Sequence, residues 1–206
     1  KTTSLKAEKH QSNRVGYCIG NSLEVAEAVS LLKNERADDG LLLVCKTLAS
    51  EMVALTKGIS PKNAFDMVEK VINSGKAYEK FIEWISLQGG DVTVLSDLDR
   101  FTSAKYITEL ASDRDGYILS ADASGMGISA MMLGAGRNSK DDIIDMSAGI
   151  IQFARVGDRV VKGQPIAVFR SSTVEDHSAS HERWLDSLVF SQTPPAKEKL
   201  IYEIIR

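Results

Sequence analysis

His177 and His181 lie four positions apart, a spacing that on a helix puts both imidazoles on one face, as in a zinc-binding pair. Ser178, Ala179 and Ser180 fill the interval and Glu182 comes only afterwards, so the general base expected between the histidines is missing; a solvated helix face accounts for the pair more simply. Asp141, Asp142 and Asp145 concentrate carboxylates, but at offsets that match no calcium loop, and Asp141 and Asp142 read as well as a helix N-cap. In Leu133-Gly134-Ala135-Gly136-Arg137 the glycines would let backbone N–H groups approach a phosphate, with Arg137 as clamp. A glycine-rich turn is more often plain geometry. No G-x-S-x-G elbow supports Ser-His-Asp chemistry, and Met126, Met131 and Met132 read as core packing rather than a cofactor box. Cys18 and Cys45 are the only cysteines; they read as unpaired thiols without zinc-ligand spacing.

The elements that would position these residues change character along the chain. Lys1 to Arg14 has no apolar periodicity, includes an isolated His10, and begins without an initiator Met, as the middle of a longer polypeptide would. Asn21 and Glu24 form a capping-box pattern opening a helix to about Leu32, with Leu23, Ala26, Val29 and Leu32 facing a core. Asp38 and Asp39 suit the positive start of a second helix, whose apolar set Leu41, Val44, Cys45, Leu48, Met52 and Leu55 runs to Gly58. Ser60-Pro61 caps a third helix with a stripe of Ala64, Met67, Val68, Val71 and Ile72, and a fourth from Lys76 carries Tyr78, Phe81, Ile82 and Ile85 as far as Gly89-Gly90. After residue 112 strand-length runs dominate: Tyr117 to Leu119, Gly149 to Phe153, Arg159 to Val161 and Ile166 to Phe169. Thr173 to Ser191 returns to helical spacing before Pro194-Pro195, and Leu200 to Ile205 reads as a last strand. The predicted fold is α/β with an α+β C-terminal domain, helical over 1–112 and β-rich over 113–206.

Bulk properties narrow the function classes. With 206 residues, 43% hydrophobic and 26% charged, the chain has ordinary globular composition. No run reaches the ~20 apolar residues of a membrane span, no signal peptide opens the chain, and cytoplasm is the expected compartment. A net charge of −3 argues against a nucleic-acid backbone as main partner.

Gly157 to Val168 reads as strand, tight turn, strand, with Gly163 at a turn position that favours positive φ. This hairpin resembles the barrel-sandwich fold of biotinyl and lipoyl carrier domains, but neither an A-M-K-M nor a D-K-A context for a modifiable lysine occurs. A carrier-like binding module is therefore one alternative reading.

Gly20-Asn21-Ser22-Leu23-Glu24-Val25-Ala26-Glu27-Ala28 resembles the G-N-A-L-E-V-x-E-A segment of thymidine and pyrimidine-nucleoside phosphorylases. Gly75-Lys76-Ala77 with Phe81 is similar to that family's S-G-K-A-x-x-x-F turn. Leu133 to Arg137, Ile144-Asp145, Gly149, Val156-Gly157-Asp158 and Lys162-Gly163-Gln164-Pro165 follow in the order of its C-terminal domain. The resemblance covers roughly residues 15 to 206 and departs where relatives have M-D-x-P-L-G and this chain has Gln11 to Gly16.

The resemblance implies part of a homodimeric enzyme in which phosphate, as a substrate, attacks the anomeric carbon of a pyrimidine nucleoside, giving free base and pentose 1-phosphate. It also implies two lobes closing on substrate, this chain supplying part of the larger one. The family's lysine-histidine-serine segment, phosphate loop and base contacts lie upstream of the matched region, so no catalytic residue falls in this chain. One family site maps here: a monovalent cation, typically potassium, held by two backbone carbonyls and a glutamate, at Val15, Cys18 and Glu27, with further ligands from the phosphate loop. The same half of a nucleoside-monophosphate phosphorylase is a second alternative.

Overall fold

The computed structural model describes residues 4–6, 16–35, 40–196, 199–201 and 203–205. In chain order the strands are β1 (Ser4–Lys6), β2 (Cys18–Ile19), β3 (Tyr106–Ala111), β4 (Gly116–Ala121), β5 (Gly149–Gln152), β6 (Arg159–Val160), β7 (Pro165–Ser171), β8 (Leu188–Ser191) and β9 (Glu203–Ile205). The α-helices are α1 (Asn21–Leu32), α2 (Gly40–Lys57), α3 (Pro61–Asn73), α4 (Lys76–Leu87), α5 (Leu98–Phe101), α6 (Ala123–Met132) and α7 (Ser178–Asp186). Two compact units result. The first comprises Lys1–Lys9, Ala28–Ser96 and Lys199–Arg206, the second His10–Glu27 and Asp97–Glu198, so the division passes through α1.

The four predicted helices are present, with α2, α3 and α4 in the first unit. Ser60 caps α3 by accepting the Asn63 N–H on its hydroxyl, and Pro61 occupies the first turn, where its missing N–H costs nothing. The buried cluster is small, consisting of Leu31, Leu42 and Ile72 with Leu41, Val68 and Ala77 packed beside it. Lys46 pairs with Glu69 across α2 and α3 at 3.0 Å. The apolar set read on α2 is not its buried face: Cys45, Leu48, Met52 and Leu55 are exposed, Met52 at 67%, whereas Leu42, Ser50, Glu51 and Ala54 are buried. Periodicity identifies an apolar face but not the neighbour that covers it. The start of α2 at Asp38 and Asp39, like His10, lies outside the described residues. β1 pairs antiparallel with β9, in agreement with a strand near Leu200 to Ile205.

The second unit holds two antiparallel sheets, with strand orders β2-β5-β7-β3 and β6-β4-β8. Both contribute to one apolar cluster: Ile118, Ala121 and Val160 come from the three-stranded sheet, and Leu110, Ile150, Ile166, Ala167 and Phe169 from the four-stranded one. Trp184 of α7, only 1% exposed, completes it and meets Phe169 edge-on at 5.8 Å. The strand-turn-strand reading of Gly157 to Val168 holds in outline, but β6 and β7 are not a hairpin, since β6 pairs with β4 and β7 with β3 and β5. The chain crosses between sheets at residues 161–164.

Further differences from the sequence reading have local causes. Thr173 to Ser191 is not one helix, because α7 stops at Ser187 and Leu188 to Ser191 pair with β4. Asp142 caps no helix; its carboxylate accepts the N–H groups of Asn138 and Ser139 and the Ser139 hydroxyl, closing a loop. β3 and α6 were not foreseen. Asp122 caps α6 by accepting from the Ser124 and Gly125 N–H groups at 3.0 and 3.1 Å.

Candidate functional site

The crossing of β2 and β5 begins with two glycines. Gly20 has φ +139° and Gly149 φ +155°; a Cβ on Gly20 would stand 2.4 Å from the Ala148 oxygen, and one on Gly149 2.3 Å from the Ile19 oxygen. Only glycine permits that approach. It brings the start of α1 against β5, where Ser22 N–H donates to the Met146 carbonyl at 3.1 Å, and the Glu24 carboxylate accepts the Gly20 N–H at 3.1 Å. The Glu24 half of the predicted capping box is thus present. Asn21 differs from the reading: its amide donates to the Ala135 carbonyl at 2.9 Å, so it ties α1 to the end of α6 and does not cap its own helix.

One turn further along α1, Glu27 is buried, 5% exposed, and faces the strand that precedes its helix. Oε1 accepts the Tyr17 N–H at 2.8 Å and Oε2 the Cys18 N–H at 3.3 Å. Gln152, 1% exposed, braces the same stretch from β5: its Nε2 donates to the Gly16 carbonyl and its backbone N–H to the Tyr17 carbonyl, each at 2.8 Å. Because the ladder of an antiparallel pair alternates, a bonded Tyr17 places Cys18, opposite Ile151, in a non-bonded pair. Its N–H turns outward, to Glu27. The arrangement is a buried carboxylate whose two oxygens each accept a backbone N–H of the preceding strand. Of the residues singled out from sequence, Cys18 and Glu27 are brought together, and Val15 lies outside the described residues. Tyr17 and Gln152 were missed; neither carries a spacing signal, since one acts through its backbone and the other is distant in the chain.

Beside this site, a cavity of about 180 Å³ is lined by Ile19, Asn21, Glu24, Met131 and Gly136 among others. Its two polar side chains are the ones already bonded to Ala135 and Gly20.

The other candidates resolve differently. Leu133 to Gly136 form the C-terminal end of α6: Gly134 N–H donates to the Met131 carbonyl and Ala135 N–H to that of Ala130. Those N–H groups are consumed, and the end of a helix that carries partial negative charge does not attract phosphate. Asp145 is a hub, accepting from Ser147 N–H and O–H at 3.0 and 2.6 Å and from Ser172 N–H at 2.6 Å. Burial works against its charge, but these hydrogen bonds outweigh it and hold the carboxyl below the usual carboxylate range. His177 and His181 do not lie on a solvated face: His177 is 2% exposed, and both rings meet the Thr108 hydroxyl. Among the described residues no group of three or more His, Cys, Asp or Glu is placed to hold a metal. None of their helices is long and apolar enough to cross a membrane.

Residues 117–189 match the family model of the pyrimidine nucleoside phosphorylase C-terminal domain. The chain is 38% identical over 195 residues to a pyrimidine-nucleoside phosphorylase of Geobacillus stearothermophilus, covering 94% of this chain and 45% of that protein. It is 37% identical over 195 residues to one of Staphylococcus epidermidis (94% and 44%), and 40% identical over 156 residues to one of Bacillus subtilis (75% and 36%). The chain spans less than half the length of these curated relatives. The resemblance first carried by Gly20 to Ala28 and Leu133 to Pro165 is thereby supported over most of the sequence, and the chain belongs to the C-terminal part of the pyrimidine-nucleoside phosphorylase family.

Proposed function

We propose that this chain is the supporting half of a pyrimidine-nucleoside phosphorylase, an enzyme that converts phosphate and a pyrimidine nucleoside to free base and pentose 1-phosphate, and that it is inactive without the other half. The observation that carries the reading is the mismatch of lengths: the likeness to named phosphorylases runs over 94% of this chain but only 45% of the relative. The first unit supports it from a different direction. Its apolar face on α2, with Leu48, Met52 and Leu55 uncovered, is what a helix shows when part of its packing lies elsewhere in a longer polypeptide.

In such an enzyme catalysis comes from holding phosphate against the sugar and stabilising negative charge on the departing base. This chain's share is positional. Its second unit, read as a barrel-sandwich-type β-domain because two sheets surround one core and the chain crosses between them, is a rigid wall. We assign residues 1–112 to the end of the α/β domain and 113–206 to the C-terminal domain. A potassium ion would be held by the Glu27 carboxylate and the carbonyls of Cys18 and Val15, and would supply a fixed positive charge linking this stretch to the phosphate-binding half. The whole enzyme is read as a cytoplasmic homodimer.

The test is phosphorolysis of uridine and thymidine by the 206-residue chain alone and by the same chain joined to the N-terminal half of the Geobacillus stearothermophilus relative. Base release above background is expected from the fusion alone. Release by the isolated chain would overturn the assignment.

A further inference from the structure

Thr108 on β3 has one hydroxyl proton but faces two imidazoles. Its Oγ1 lies 2.7 Å from His177 Nδ1 and 3.0 Å from His181 Nε2. The second nitrogen of His177, Nε2, is 3.1 Å from the Val174 carbonyl oxygen, which can only accept. His177 Nε2 therefore carries the proton and, in the neutral ring, Nδ1 is a bare lone pair. Thr108 must then donate to His177, and its oxygen must accept from His181 Nε2–H. With both rings neutral, one assignment of protons satisfies all three contacts.

We propose that this chain of hydrogen bonds is an acid-sensitive latch, holding the segment from Val174 through α7 on the β3–β7 edge of the four-stranded sheet, complete while at least one ring is neutral and broken once both carry a second proton. Arg183 of α7 pairs with Asp122 at 4.0 Å, and the contacts next to the rings are uncharged: Phe169 of β7 meets the His181 ring edge-on at 4.3 Å, and Ser129 of α6 exchanges hydroxyl-to-carbonyl hydrogen bonds with Ser180 at 2.7 and 2.8 Å. The charged groups bearing on His181 are His177, which opposes a proton, and Asp176, which favours one. The Asp176 carboxylate is itself engaged by the Ser178 N–H and O–H at 2.9 and 2.6 Å.

Opening follows from the proton inventory. A proton on His181 Nδ1 leaves the three bonds in place. A proton on His177 Nδ1 alone reverses the chain, Nδ1–H donating to the Thr108 oxygen and the Thr108 O–H turning to a bare His181 Nε2, whereas protons on both rings aim two donors at that oxygen and leave the O–H without an acceptor. Burial, reinforced by His177, also pushes the His181 ring below the ordinary histidine range. An unfolded histidine protonates near pH ~6.5. The latch's contribution is therefore whole above that pH and is lost as pH falls below it, until the folded ring protonates too.

Trp184 reports the seating, being 1% exposed on α7, while Trp84 is 53% exposed and can be removed by Trp84→Phe. On that background, Trp184 emission should shift red between about pH 7 and 5, and amide protection in α7, corrected for intrinsic exchange, should fall at least about tenfold. Thr108→Ser should keep this response and Thr108→Val should flatten it. Retention of the full response in Thr108→Val, or an α7 indifferent to pH in the wild type, overturns the latch. Should Thr108→Val not fold, long-range 15N spectra of the wild-type rings at pH ~7.5 decide: both rings protonated on Nε2 supports the proposal, and His177 protonated on Nδ1 overturns it.

Discussion

Replacing Glu27 by Gln tests the junction on which the candidate site depends. The carboxylate accepts two backbone N–H groups, from Tyr17 at 2.8 Å and Cys18 at 3.3 Å, in surroundings that leave Glu27 5% exposed. Gln keeps the shape and one acceptor. Its oxygen can hold the Tyr17 N–H, but its NH2 then faces the Cys18 N–H, donor against donor. Hydrogen bonds to charged acceptors contribute roughly 1.5–3 kcal/mol each, and a buried unpaired donor costs about 1–3. One bond is weakened and one lost, so the expected destabilisation is about 2–4 kcal/mol. With a urea m-value near ~2.5 kcal/mol/M for a domain of this size, the midpoint should fall by about 1–1.5 M. Trp184 fluorescence is the readout, because it follows the second unit. A loss below about 0.5 kcal/mol, the range of an uninvolved surface position, would refute the reasoning. The same titration in potassium chloride and in choline chloride at equal ionic strength addresses the cation. Potassium at ten times its Kd should add about 1.4 kcal/mol to the wild type and nothing to Glu27→Gln. Equal wild-type midpoints in the two salts would defeat the cation reading and leave the structural role of the Glu27 hydrogen bonds standing.

Two other positions carry sharp expectations. Gly149→Ala places a Cβ 2.3 Å from the Ile19 oxygen and 2.8 Å from Leu23 Cδ1 at φ +155°, so strain and overpacking together should cost about 3–5 kcal/mol. Differential scanning calorimetry should show Tm lower by roughly 10 °C, and a change within about 2 °C would mean the β2–β5 crossing has slack. Asp145→Asn should destabilise by about 1–2 kcal/mol at neutral pH. Because the folded carboxyl titrates below its unfolded value near ~3.9, the wild type's advantage is complete above that pH and shrinks as pH falls through the folded value. Urea midpoints at pH ~6 and pH ~2.5 measure it, and a gap that stays constant would show that the hydrogen bonds to Asp145 do not depend on its charge.

Local chemistry was legible where a few neighbouring residues settle the outcome. Ser60-Pro61 starts α3 because hydroxyl, N–H and ring lie within one turn, and Glu24 reaches Gly20 for the same reason. The unforeseen elements lean on distant partners. α6 contains Gly125 and Gly127, each costing about 1 kcal/mol in a helix interior. Yet a Cβ on Gly125 would lie 2.2 Å from Ser187 Oγ, so the glycine serves a close approach that propensity does not register. β8 follows α7 without a break in apolar spacing, and its pairing with β4 shows it to be a strand.

The sequence by itself determined the four opening helices, most of the strands of the second unit, and the family, since these rest on spacing and motifs within short stretches. Tertiary structure decided that β6 and β7 serve different sheets, that Leu42 rather than Leu48 is buried on α2, and that Glu27 is an interior anchor. It also joined Thr108 to histidines 69 and 73 residues away. The physical reason is the range of the forces. Capping and periodicity act within a turn or two of chain, whereas burial and pairing depend on which segments the folded backbone brings into contact.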